Sequence, residues 1–409
     1  MQFLRRHLLK YDRPCENMTY FVDGNQIQLL RSGAEYFPAL LTAIENSTRE
    51  IYLQSYIYKE DVTGIQIGDA LKNAARRGVS VNILLDGFGS KELSKSYVEE
   101  LEQTGVQVMF YRPKISPWSL KKRRLRRLHQ KIVVIDGHIG FVGGINIIDD
   151  YDVPNNGPNN VPPRIDYAVR IEGKLLPIIL GSVQKLWRRI AWIHMRRANL
   201  VIAKTVKSMN SSNSQQHNIK AALVLRDNVL HRSDIEDAYL DAIDHAKSEI
   251  IIANAYFVPG RRFRLALLAA VKRGVKVRLL LQGRMEYFLM FATHAFYSEF
   301  LRSGIEIFEY RKSFMHSKVA VIDSTWATVG SSNIDPFSLL LAREANVVVK
   351  DAAFAQELRT DIQGSIEDGA LRIDPQHWTR GNIFTRFASW IAYGLVRAFL
   401  GVIGHSNEK

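Results

Sequence analysis

At 409 residues, 46% apolar and 10% aromatic, the chain exceeds one ordinary core, and two domains of roughly 200 residues are expected. That composition excludes a disordered or fibrous chain, and the formal charge of +14 points to anionic partners, nucleic acid and acidic headgroups alike. The single cysteine, Cys15, excludes an intramolecular disulfide and a multi-cysteine zinc site.

The chain begins MQFLRRHLLKYDR, which lacks both an unbroken hydrophobic run and a small-residue cleavage signal, so no secretory peptide is expected. No stretch reaches the ~18 uncharged apolar residues of an ordinary transmembrane helix. Ile51 to Tyr58, IYLQSYIY, reads as a buried strand. A helical stretch follows, then a glycine-containing turn and a second apolar strand in RRGVSVNILLDG, from Arg76 to Gly87. The second half repeats this with IIIANAYF from Ile250 to Phe257 and KRGVKVRLLLQG from Lys272 to Gly283. Apolar strands without alternation, joined through helices, predict an α/β fold with a sheet covered on both faces.

A third repeated block carries the polar chemistry. HQKIVVIDGHIGFVGGIN spans His129 to Asn146, and HSKVAVIDSTWATVGSSN spans His316 to Asn333. In both, Lys follows His by two positions, Asp follows His by seven and Asn follows Asp by ten, with the blocks 187 residues apart. Matching spacing over that length implies duplication, each lobe supplying half of one site. Alternation puts His129 with Lys131, and His316 with Lys318, on one face of a strand. Asp136 and Asp323 fall beyond the strand, near a turn. Small residues before Asn146 and Asn333 let backbone amides approach an anion.

Joined face to face, the halves offer two imidazoles, two ammonium groups and two amides. That inventory suits phosphoryl transfer: one histidine attacks phosphorus, the other protonates the leaving oxygen, and lysine and asparagine neutralise the non-bridging oxygens. It calls for no cofactor and no metal, since the residues do not form a two-metal carboxylate clamp.

These blocks resemble the paired HKD motifs of the phospholipase D superfamily, and most closely the bacterial cardiolipin synthases of the short form without two N-terminal transmembrane helices. The similarity runs from GNQIQLLRSGAEYFPALLTAI near residue 24 beyond the second motif, with ILLDGFGS and HQKIVVID as the specific signals. The resemblance implies duplicated α/β/α lobes, each a mixed sheet covered by helices, in a pseudo-twofold bilobal enzyme. The divisions expected are a first lobe over 1–204, a linker or surface loop over 205–218, a second lobe over 219–380 and an amphipathic tail over 381–409.

By the same resemblance His129 is the nucleophile that becomes a phosphohistidine, and His316 is general acid and then base. Lys131, Lys318, Asn146 and Asn333 grip phosphate. Asp323 would orient His129 and Asp136 would orient His316 across the lobe interface, the opposite pairing being the alternative. Asp166 in RIDYAV and Glu344 in LAREANVVV would fix the imidazole tautomers behind them. Ser331 and Ser332 stand where the first motif has Gly144 and Ile145, an ordinary variant of the pattern.

Substrate choice rests on the surroundings. KISPWSLKKRRLRR, from Lys114 to Arg127, places a basic run with Trp118 immediately before His129, and suits an anionic bilayer or a nucleic-acid backbone. The segment IFTRFASWIAYGLVRAFLGVI, from Ile383 to Ile403, carries only Arg386 and Arg397 as charges and reads as an interfacial helix, with core packing as the bland alternative. RRFR at Arg261 and RRIAWIHMRR from Arg188 add basic-aromatic surface, and MEYFLMFATHAFYSEF from Met285 reads as a helix near a lipid channel or in the core. The expected reaction is transfer of a phosphatidyl group from one phosphatidylglycerol to another, giving cardiolipin and glycerol at the cytoplasmic side of the bacterial inner membrane. Phosphatidylethanolamine or glycerol could serve as co-substrate, nucleic acid ranks below lipid, and no obligate protein partner is implied. The alternatives are a phospholipase D or nuclease with water as acceptor, and a weakly catalytic membrane-binding protein.

Overall fold

The computed structural model describes residues 19–112, 126–153, 162–194, 218–227, 230–284 and 292–380, with Ile391 and Gly394. Nearly all of the basic run at 114–127, the expected linker and the C-terminal tail lie outside the described residues, as does the first part of the segment from Met285.

The first half runs β1 (Val22–Arg31), α1 (Ser32–Glu45), β2 (Glu50–Ser55), α2 (Val62–Arg76), β3 (Ser80–Asp86), α3 (Lys95–Gln103), β4 (Gln107–Tyr111), β5 (Arg127–Leu128), β6 (Lys131–Ile135), β7 (Ile139–Gly143), β8 (Tyr167–Gly173) and α4 (Leu176–Ile193). The second runs β9 (Ile219–Arg226), α5 (Asp234–His245), β10 (Glu249–Asn254), α6 (Arg261–Lys272), β11 (Lys276–Gln282), α7 (Tyr297–Arg302), β12 (Glu306–Tyr310), β13 (Lys318–Ile322), β14 (Trp326–Gly330), α8 (Pro336–Leu340), β15 (Ala342–Lys350), α9 (Ala352–Gly369), β16 (Ala370–Arg372) and α10 (Pro375–Arg380).

Local chemistry sets these boundaries. The Asp61 carboxylate accepts from the Gly64 amide and starts α2, and Asp351 does the same for α9 through Phe354. Gly78 and Gly274, the glycines of the repeated RRGV and KRGV turns, take φ of +91° and +90°, where a side chain would be strained. Every residue of β2 is buried, as expected of a strand covered on both faces.

One mixed sheet threads both halves, in the order β16-β12-β11-β10-β13-β14-β15-β9-β1-β8-β7-β6-β2-β3-β4, with β5 off this path beside β15. From the central β1–β9 pair the order is the same outward in each direction, which is the duplication seen in three dimensions. β2, β3 and β4 run parallel, as do β10, β11 and β12, while β6–β8 and β13–β15 are antiparallel neighbours. Outer helices cover separate cores: Leu40, Ile67 and Leu101 in the first half, Ile243, Leu267 and Phe300 in the second. On the inner face α4 and α9 share one core, in which Val183 and Trp187 join Leu358 and Ile362. The halves are thus continuous in sheet and in core.

The motif aspartates belong to this scaffold, which corrects the expectation that they orient the histidines. Asp136 sits in the β6–β7 turn with φ +52° and accepts from the amides of Thr48 (2.8 Å), Arg49 (2.8 Å) and Glu50 (3.0 Å). Asp323 (φ +51°) accepts in the same way from Lys247, Ser248 and Glu249 at 2.8, 2.8 and 2.9 Å. Seven residues of nearly extended chain, about 20 Å, put each aspartate at the opposite end of the strand from its histidine. Burial would raise both carboxyls, but the amide hydrogen bonds outweigh it and hold them below the usual range. A carboxylate depressed on folding adds stability that is present above its unfolded pKa and is lost as pH falls through the folded value. Asp136→Asn and Asp323→Asn are therefore expected to cost about 1–3 kcal/mol each at neutral pH and to flatten the loss of stability towards acid. Denaturant unfolding at neutral and acid pH reads both effects.

Candidate active site

Each histidine is clamped by the other half of the chain. The β5 strand ahead of His129 pairs with Ala342 and Arg343 of β15, and the His129 amide donates to the Arg343 carbonyl at 3.0 Å. That contact brings in the next residue, Glu344, whose carboxylate lies 2.9 and 3.0 Å from His129 Nδ1. The second half-site mirrors this. The His316 amide donates to the Ile165 carbonyl at 2.8 Å, and Asp166 Oδ2 stands 2.6 Å from His316 Nδ1. Glu344 and Asp166 thus occupy the cross-lobe position expected of the motif aspartates.

The lysines follow the strand alternation. Lys131 Nζ donates to the His129 carbonyl at 2.7 Å, and Lys318 Nζ donates to that of His316. Both are buried, so desolvation pulls Lys131 down to about 7 and Lys318 to about 8, against the opposing pull of Glu344 and Asp166. Burial also lowers both imidazoles, His316 to about 3. The Lys318 charge depresses His129 and the Lys131 charge depresses His316, so the two half-sites share one electrostatic pocket. Burial works against the Asp166 carboxylate, yet Lys318 and His316 hold it below the ordinary range.

Glycine and serine in the repeated GG and GS positions have distinct jobs. A Cβ on Gly144 would fall 2.2 Å from Asp166 Oδ1, so only glycine lets this carboxylate reach His316. Ser331, at the matching position, instead donates to Glu344 Oε2 at 2.6 Å while receiving the Ala345 amide at 3.0 Å. Asn146 Oδ1 accepts from the Ile57 amide at 3.1 Å, and Asn333 is buried beside Ser332.

Three residues at the site carried no assigned role from sequence. Tyr56 meets the His129 ring edge-on with centroids 4.7 Å apart, and Lys131 Nζ lies 5.4 Å from the tyrosine ring centre. Phe314 stacks on His316 at 6.1 Å. Asp86, the acid of ILLDG, is fully buried and accepts from the amides of Phe88, Gly89 and Leu128, the last at 2.8 Å, tethering the strand that carries His129. An acid ending an apolar strand was the available signal for Asp86. The aromatic positions gave none, because strand-end aromatics are ordinary core residues.

Of the surfaces expected to meet headgroups, RRFR is differently employed. Phe263 is core, Arg262 pairs with Asp237 at 2.9 Å and Arg264 with Glu299 at 2.8 Å. Trp192 and Ile193, at the end of α4, are exposed as expected of the second basic-aromatic stretch. Phe296, Tyr297 and Phe300 are buried, so the described part of the segment from Met285 packs in the core. Among the described residues no helix is long and apolar enough to cross a membrane, and no cluster of His, Cys, Asp or Glu is arranged to hold a metal.

The fold and paired half-sites are those of the phospholipase D superfamily. A family model for the cardiolipin synthase PLD-like domain matches residues 40–155 and 239–365, one segment over each motif. Cardiolipin synthase B of Escherichia coli K12 is 37% identical over 93% of this chain and 90% of its own length, and that of Salmonella typhimurium LT2 matches to the same extent. A probable cardiolipin synthase of Bacillus subtilis is 29% identical over 93% of this chain and 72% of its own. Among solved structures, phosphatidylserine synthase from Haemophilus influenzae superposes with a TM-score of 0.64 at 14% identity, over 94% of this chain and 95% of that one, a likeness of fold alone. The chain belongs to the cardiolipin synthase family of phospholipase D-like enzymes.

Proposed function

We propose that this protein transfers a phosphatidyl group between two phosphatidylglycerol molecules, making cardiolipin and releasing glycerol. The observation that carries the mechanism is the crossed pair of imidazole–carboxylate contacts, 2.9 Å at His129–Glu344 and 2.6 Å at His316–Asp166, above two buried lysines. A carboxylate on Nδ1 holds the ring proton there and leaves Nε2 as the reactive nitrogen.

In the first half-reaction His129 Nε2 bonds to phosphorus while His316 gives a proton to the departing glycerol oxygen. In the second, a hydroxyl of another phosphatidylglycerol attacks phosphorus, loses its proton to His316 and releases His129. One phosphodiester replaces another, so no nucleotide is consumed. The arriving phosphodiester also supplies the missing charge: a neutral His316 gains basicity, and Lys131 and Lys318 stay protonated, once an anion fills the pocket. Asn146 and Asn333 would assist the lysines on the non-bridging oxygens.

The +14 charge and the exposed Trp192 and Ile193 support action at an anionic bilayer surface, peripherally at the cytoplasmic face of the inner membrane. Phosphatidylethanolamine as donor, or glycerol as acceptor, would use the same chemistry. The test is lipid product analysis after incubation with phosphatidylglycerol vesicles. Cardiolipin with an equal amount of glycerol is expected. Phosphatidic acid alone would replace the reading with a lipase, and cleavage of single-stranded DNA without lipid turnover with a nuclease.

A further inference from the structure

The duplication makes each half-site a control for the other, and the two are not equivalent where an alcohol would sit. In the first half, Ser55 donates to the Ile57 carbonyl at 2.7 Å and Asn146 Oδ1 receives the Ile57 amide, so the serine hydroxyl and the asparagine oxygen are both spent on the scaffold. In the second half Asn254 stands in the place of Ser55. Its Oδ1 receives the Ile334 amide at 3.3 Å, but its Nδ2 finds no partner among the described residues, and neither does Asn333 Oδ1. Asn254 is 0% exposed and Asn333 3%. The β10–β13 register pairs Asn254 with Lys318, which puts its side chain on the face that carries the site.

The residue after each of these also differs. Tyr56 meets the His129 ring edge-on, whereas its counterpart is Ala255, whose amide donates to the Ser317 carbonyl next to His316 at 2.9 Å. A methyl group thus stands at the position that holds an aromatic ring in the first half, the aromatic on His316 being Phe314. Buried amide groups left without partners are rare and mark places where a ligand or water completes the set. Here the set is one neutral donor and one neutral acceptor. A hydroxyl satisfies both at once, whereas a phosphate oxygen only accepts and an ammonium only donates.

We propose that the second half-site contains a hydroxyl-binding subsite beside His316, formed by Asn254 Nδ2 and Asn333 Oδ1 under Ala255, that seats the diol of a glycerol headgroup and selects it over water as acceptor. The inference rests on the phosphatidyl-transfer reading and names which half handles the alcohol. An acceptor held there has its reacting hydroxyl beside the histidine that takes the proton. The hydroxyl oxygen bonds to phosphorus as the P–N bond to His129 breaks, the bonding pair returns to the imidazole, and the proton goes to His316 Nε2. In the forward half-reaction the same seat holds the glycerol that leaves.

The experiment compares the wild type with Asn254→Ser, which installs the first-half residue, and Ala255→Tyr, which installs its aromatic ring. Phosphatidylglycerol vesicles are the substrate, and cardiolipin and phosphatidic acid are measured together. In both variants the ratio of cardiolipin to phosphatidic acid is expected to fall about tenfold, and the KM for added glycerol in headgroup exchange to rise by a similar factor. Thermal unfolding checks that each variant is folded, and Asn254→Ser, a smaller side chain, keeps the test open if the tyrosine is not accommodated. An unchanged product ratio and glycerol KM in folded Asn254→Ser would overturn the subsite. A wild type that makes no cardiolipin would instead overturn the transfer reading itself.

Discussion

His129→Ala is expected to abolish lipid turnover, by about 10⁴-fold or more, together with all covalent capture of the phosphatidyl group. His316→Ala is expected to stop turnover of phosphatidylglycerol by about 10²–10⁴-fold, the share of a general acid, while leaving capture from an activated ester intact. The difference lies in what each imidazole supplies. A nucleophile has no substitute in the pocket, whereas a leaving group that departs without protonation does not need the acid. Acid quenching after addition of a labelled lipid ester with a good leaving group separates them: label should stay on His316→Ala and be absent from His129→Ala. The reverse pattern would exchange the two roles. Both imidazoles carry an aromatic neighbour, Tyr56 edge-on to His129 and Phe314 stacked on His316, so the labelling result, rather than packing, assigns the two roles.

Glu344→Gln and Asp166→Asn should be nearly as damaging, at about 10²–10⁴-fold in kcat, without touching substrate. A carboxylate accepts the Nδ1 proton and leaves an Nε2 lone pair. An amide can present its NH2 group to Nδ1 instead, which moves the ring proton to Nε2 and blocks attack or proton uptake. Glu344→Gln carries a second signature, because the Glu344 charge raises Lys131 against the burial that lowers it to about 7. Lys131 grips phosphate only when protonated, so kcat/KM falls as pH rises through its pKa. Removing the Glu344 charge lowers that pKa further, and the alkaline limb should move to lower pH. A purely structural defect would lower the whole profile without moving the limb.

Much of this site was legible because duplication printed it twice. His129, Lys131, His316 and Lys318 came from spacing alone, since a strand's period of two places them together whatever surrounds them. Asp166 and Glu344 needed the family resemblance, as neither lies within the repeated block. The motif aspartates were misplaced for a related reason. Their regular spacing looked functional, but that spacing fixes a turn at the far end of β6 and β13, where Asp136 and Asp323 tie down the starts of β2 and β10. RRFR misled in the same manner, because a basic cluster in sequence does not reveal the acids of α5 and α7 that neutralise it.

The sequence by itself determined the α/β class, the duplication and the two His–Lys pairs, because these depend on local period and repeated spacing. Only the tertiary structure decided which carboxylate serves which histidine. The partners are separated by 215 residues at His129–Glu344 and 150 at His316–Asp166, and they meet because the two halves pack so that β5 adds to β15 and the Ile165 strand segment adds to that of Met315. The exchanges of Ser55 for Asn254 and of Tyr56 for Ala255 are written in the two repeats. Which buried amide groups are left without partners is set by three-dimensional neighbours, and only the structure shows it for Asn254 and Asn333.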